Sequence, residues 1–151
     1  MTKYMIVAVM ALGAGCGKAK KAEGVKCDAK AVDALAASLD KANGINVELT
    51  DKVKADMAVA SKELTGKTFA FDGCKFRSQG NDIVSFTAAD GDKSIDCAMK
   101  GGEAGVTTFR HAAMAIGQDK VRLDVSGVIA SHGDKNFARL GMTECEIAVH
   151  E

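Results

Sequence analysis

A chain of 151 residues, 47% apolar and 26% charged, has room for one globular domain plus a terminal extension and is too apolar to be disordered. Its 20 basic and 20 acidic side chains cancel, which argues against wholesale recruitment of a polyanion. Sixteen Gly with no Pro or Trp argue against one long helical bundle, so helix must share the chain with strands joined by Gly-containing turns.

The N-terminus has the layout of an export signal. Met1 to Met5 carries one cation, Lys3, and Ile6 to Ala14 is an uncharged run of apolar and small residues. That run is too short to span a bilayer, which takes about 20 apolar residues in a helix, and it stops at Gly15-Cys16 before Gly17-Lys18-Ala19-Lys20-Lys21. Ala11-Leu12-Gly13-Ala14-Gly15-Cys16 resembles the lipobox of bacterial lipoproteins, in which small residues precede a Cys that becomes the lipidated first residue of the mature chain. One position departs from that pattern: the apolar residue usual three places before the Cys is Gly13 here, and Leu12 stands one place further upstream. The resemblance implies removal of residues 1–15, a lipid on Cys16 and a location in the cell envelope. Simple signal cleavage with a soluble product, an uncleaved anchor and an accidental pattern are the alternatives. A thiol suits the role because it can be alkylated by a diacylglyceryl group, each buried acyl CH₂ then adding about 0.8 kcal/mol of membrane affinity. Loss of residues 1–15 removes Lys3 and leaves 19 basic against 20 acidic groups, a net charge of −1.

Residues 16–26 are expected to form the lipidated Cys and a solvated tether, since Gly17 to Lys26 has no periodicity and repeats Lys. Beyond them, Val32, Leu35, Ala36 and Leu39 mark one face of a helix over 29–42, preceded by Asp28 and stopped by Asn43-Gly44. A second helix opens at Thr50-Asp51 and places Val53, Met57, Ala60 and Leu64 on one face before Gly66 ends it.

After Gly66 the period changes to two. Phe69 and Phe71 alternate with Ala70 and Asp72, Gly73 interrupts, and Cys74 and Phe76 resume, which predicts one long bent strand. Ile83 to Ala88 is a second strand, Asp90-Gly91-Asp92 a turn, and Ile95, Cys97 and Met99 one face of a third. A helix follows over Glu103 to Ile116. Val121, Leu123 and Val125 lead through Gly127 in a bent fourth strand, and Ala138 to Val149 makes the fifth.

Setting Cys16 aside leaves Cys27, Cys74, Cys97 and Cys145, an even number in a chain that reads as exported, and two disulfides are the natural inference. Four cysteines allow three pairings, and spacing alone does not choose among them. No C-x-x-C occurs and His111, His132 and His150 cluster with no Cys, so a metal site is not expected.

The order strand, strand, strand, helix, strand, strand is that of the OB-fold. Gly66-Lys67 through Gly73, Ile95-Asp96-Cys97, Gly117, Val121 to Gly127 and Leu140 to Ile147 resemble the tRNA-anti-like OB-fold family of bacterial lipoproteins and other exported proteins. The motifs are loose, and many exported members of the family have no established ligand, so the resemblance implies a fold more than an activity. The expected fold class is mainly β with helices (α+β). A five-stranded OB-fold Greek-key barrel fills 66–151, with a helix between strands 3 and 4, and two N-terminal helices at 27–65 precede it. With that fold assumed, strands three and five are neighbours. The resemblance then implies a Cys97–Cys145 disulfide, leaving Cys27 to pair with Cys74.

The remaining motifs read as structure. Gly66-Lys67-Thr68 ends like a phosphate-binding loop, but Ser61 stands at the position of its first Gly and the segment runs from helix to strand; Gly17-Lys18 fails similarly. Asp90, Asp92, Ser94 and Asp96 imitate the start of a calcium loop, with Ile95 where the obligatory Gly belongs. The three His read as surface polar residues, Ser126 and Ser131 near His132 notwithstanding. Phe69, Phe71, Phe76, Phe86, Phe109 and Phe137 all fall within apolar patterns, and no Tyr or Trp follows the signal, so platforms for base stacking are not expected.

The sequence therefore predicts a non-enzymatic, lipid-anchored envelope module without a cofactor. Its partners are the membrane, through the N-terminal lipid, and an envelope protein or another envelope component. An envelope hydrolase or glycan-active enzyme, and a nucleic-acid-binding OB-fold, are the alternatives.

Overall fold

The structure is a computed structural model and describes residues 24–133 and 138–151. The signal-like segment, Cys16 and Phe137 lie outside the described residues. Among the described residues the fold is mixed α+β, with three helices and a six-stranded sheet. In chain order the elements are β1 (Val25–Lys26), α1 (Ala29–Asn43), α2 (Asp51–Leu64), β2 (Thr68–Gln79), β3 (Ile83–Thr87), β4 (Ser94–Met99), α3 (Gly102–Ile116), β5 (Arg122–Gly133) and β6 (Ala138–His150).

Strands β2 to β6 pair in the order β2-β3-β4-β6-β5, and β5 also pairs with β2, which makes a barrel-like ring. The ring is unevenly closed. The β5–β6 ladder runs from Arg122↔His150 to Gly133↔Ala138, whereas β4 and β6, which are parallel, pair at Cys97↔Met142 and Met99↔Cys145.

The sixth strand departs from the expected five. Val25 and Lys26, read as the end of the tether, pair in parallel with Phe71 and Asp72 of β2. Two residues are too few to show a period, so this strand exists through its partner and through the adjacent Cys27–Cys74 disulfide.

Local chemistry accounts for the helices. The Asp28 carboxylate accepts a hydrogen bond from Ala31 N at 2.9 Å and caps α1. Val32, Leu35, Ala36, Leu39 and Ala42 are buried along one face of that helix. Helix α2 is capped by Thr50 Oγ1, which accepts from Val53 N at 3.3 Å, but Ala60 is its one buried residue. Its apolar face lies on α1 rather than on the sheet.

The interior joins both halves of the chain. Leu35 and Leu39 of α1 belong to the same cluster as Phe71, Phe86, Ile95, Leu123, Ile129 and Met142 of the strands. Each such side chain contributes about 1.5–3 kcal/mol by leaving water. The rings of Phe76 and Phe109, 5.5 Å apart, attach α3 to β2. Strand β2 bends at Gly73, whose φ of 77° disfavours a side chain and where the register shifts between Phe71 and Cys74. Two buried disulfides complete the frame. Cys27–Cys74, with Cα atoms 5.1 Å apart, ties the start of α1 to β2, and Cys97–Cys145, at 5.9 Å, ties β4 to β6.

Candidate functional site

The place where β4 and β6 part is a recess lined by polar and charged side chains. Upstream of Cys97↔Met142 the two strands make no ladder pairs, although β4 keeps its pairing with β3 through Ser94. The gap is a cleft of about 350 Å³ floored by Ile95, Leu140 and Gly141. The last turns of α1 wall it with Leu39, Asp40 and Asn43, and Asp96, His132 and Arg139 line the opposite side.

Three sets of interactions give the cleft its shape. The Asn43 side-chain amide donates to Leu140 O at 3.0 Å, and its oxygen accepts from Leu140 N at 2.7 Å. These are a strand residue's own two backbone groups, so the amide occupies the place of a neighbouring strand. Asp96 accepts from Ser85 Oγ at 2.6 Å through one carboxylate oxygen and is paired with the Arg139 guanidinium through the other. That pair bridges the gap from β4 to β6 and is mostly shielded from solvent, with side-chain exposures of 26% and 35%.

His132 sits opposite Arg139 in the β5–β6 ladder and is half-buried, in contrast to the surface position expected for it. Its ring lies against Gly141, where a Cβ would come within 2.5 Å of Nε2. Among the described residues Nε2 has no hydrogen-bond partner. Burial is the main cause holding its pKa below the ordinary value, the Arg139 charge adds to the effect, and Asp96 and Asp82 oppose it.

The other sequence candidates are dispersed. His111 is exposed on α3, and His150 Nε2 meets Asp124 Oδ1 at 2.9 Å on the outer surface. Ser131 neighbours His132 along an extended strand and so faces the other side of the sheet, and Ser126 pairs with Glu146 further along β5. The acids that imitated a calcium loop have separate partners: Asp90 accepts from Ala29 N at 2.9 Å at the start of α1, while Asp96 holds Arg139. Among the described residues no group of three or more His, Cys, Asp or Glu is placed to hold a metal ion. Of the five Phe described, Phe71, Phe86 and Phe109 are buried, and Phe69 and Phe76 are partly buried against the core.

Sequence reasoning missed Asn43, which it read only as part of a helix stop, and the Asp96–Arg139 pair. Neither carries a local signal, because the partners are 97 and 43 residues apart. The chain matches no family model, no curated protein and no solved structure.

Proposed function

We propose that this chain is a non-enzymatic, lipid-anchored binding module of the cell envelope, in which an OB-fold barrel presents the β4–β6 cleft to a ligand and a lipid on Cys16 holds the domain at a membrane. The pairing order β2-β3-β4-β6-β5 with return to β2, and α3 between β4 and β5, support the barrel reading. Two buried disulfides support an oxidising compartment. In this reading attachment comes from the lipid; no helix among the described residues is long and apolar enough to cross a membrane.

One observation carries the choice of binding over catalysis. Three polar side chains of the cleft have fixed protein partners, Asp96 in Ser85 and Arg139, Arg139 in Asp96, and Asn43 in Leu140, so they build a fixed recess, and among the described residues no hydroxyl or thiol is bonded to His132 Nε2. Nucleic acid fits less well, since the sequences of β3 and β4 contain no Lys or Arg.

The anchor is tested by the intact mass of protein extracted from native membranes, with and without reduction before thiol alkylation. A chain beginning at Cys16, carrying added acyl mass and exposing four further thiols only after reduction, is the expected result. A full chain from Met1 with free thiols would overturn it.

The depressed pKa of half-buried His132 favours a second reading, an envelope hydrolase or glycan-active enzyme, because a neutral imidazole in a cleft can act as a base. Release of soluble fragments from purified cell wall by the native protein, abolished in His132→Gln, would replace the binding reading with this one.

A further inference from the structure

We infer that the domain rests on an anionic phospholipid bilayer through the shallow apolar face formed by Val25 of β1, Leu64 at the end of α2 and Phe69 of β2; this rests on the lipid-anchor reading above. The face is a hollow of about 320 Å³ whose lining, completed by α1 and Phe71, is aliphatic or aromatic apart from Ser38. Val25 stands at its rim, 55% exposed. An apolar surface of this kind is costly in water and is stabilised when something dry covers it.

Chain connectivity identifies what covers it. Cys16 and Val25 are nine positions apart, with eight residues between them, a link of at most about 32 Å when fully extended. The acylated residue therefore enters the bilayer within that reach of an apolar face that begins where the link joins the domain. Once the lipid has brought the domain to the surface, a second contact is effectively intramolecular and needs little affinity of its own.

Charge around the face agrees with headgroups of negative sign. Lys41 and Lys67 line the next hollow beside Leu64, while exposed Lys26, the residue after Val25 in β1, points to the other side of the sheet. Two acids lie among them, Glu63 in that hollow and Asp72 opposite Lys26 in the ladder. The link adds Lys18, Lys20 and Lys21 against Glu23. Basic groups held this close to an anionic surface gain from its potential.

The chain has no Trp, so one introduced indole is an unambiguous depth probe. Val25→Trp and, as a control on α3, Met114→Trp replace residues that are 55% and 70% exposed, which leaves the core intact. Each lipidated variant is reconstituted into phosphatidylethanolamine–phosphatidylglycerol vesicles with brominated acyl chains. The expected result is a blue-shifted emission for Val25→Trp, quenched several-fold more strongly than that of Met114→Trp. Equal, weak quenching of both in protein that carries its lipid and floats with the vesicles would overturn the face while leaving the anchor standing. Protein that neither floats nor carries acyl mass would remove the anchor and this inference with it.

Discussion

The amide of Asn43, at the last turn of α1, holds both backbone polar groups of Leu140, 97 residues away, at 2.7 and 3.0 Å. It ends the β4–β6 seam and fixes the wall of the cleft. Asn43→Ala leaves a partly buried N–H and C=O without their partner and is expected to destabilise the fold by about 1–3 kcal/mol. Asn43→Asp should cost at least as much near neutral pH, because a carboxylate cannot donate to the Leu140 carbonyl and repels it. Urea unfolding measures both. An alanine cost within about 0.5 kcal/mol of zero, ordinary for a surface change, would mean that solvent substitutes freely for the amide.

Gly141 and His132 make a second coupled pair. A methyl at position 141 would lie 2.5 Å from His132 Nε2 and 2.8 Å from Cδ2, so Gly141→Ala should displace the imidazole at a cost of about 1–3 kcal/mol. Most of that cost should vanish when His132 is already Ala, a positive coupling in a double-mutant cycle. Simple additivity would show that the ring does not pack on Gly141.

His132 also predicts how stability depends on pH. Its folded pKa lies below the ordinary 6.5 because burial, and next Arg139, disfavour the imidazolium. Above 6.5 the side chain is neutral in both states and its contribution is intact. As pH falls from there through the folded pKa, the unfolded chain binds the proton first and stability is lost. Urea midpoints should therefore decline through this interval, and His132→Gln should flatten that part of the profile. An unchanged slope in the variant would assign the decline to other groups.

The disulfides close successive loops that do not overlap in sequence, with separations of 47 and 48 residues. Restriction of the unfolded chain assigns each about 4 kcal/mol. Replacing either pair by Ala should lower stability by about that amount, and replacing both should add the two costs, enough to unfold many domains of this size. Thermal unfolding of the three variants checks this. A double variant no less stable than the weaker single one would show that the bridges constrain the same part of the unfolded ensemble.

Much of the fold was legible in the sequence because its signals are local. The period of α1, its Asp28 cap, the strand alternation either side of Gly73 and the order of elements from β2 to β6 all follow from neighbours a few residues apart. Helix α2 was equally readable as a helix. Its face of Val53, Met57, Ala60 and Leu64 did not reveal, however, that it would pack on α1 and leave the sheet to others. The pairing of Cys97 with Cys145 was open to spacing and came only through the resemblance to a fold. Nothing marked Asn43 or Arg139 as parts of one recess.

By itself the sequence determined the helices and strands from α1 to β6 and an even set of four cysteines besides Cys16. Those properties depend on composition and on periods of two and 3.6 residues. Tertiary structure alone decided that β4 and β6 separate before Cys97, that Asn43 fills the resulting place at Leu140, and that exposed Val25 joins the partly buried Leu64 and Phe69 around one apolar hollow. Hydrogen bonds and apolar contacts between distant residues have no period along the chain, because the partners are selected by the packing of the whole fold.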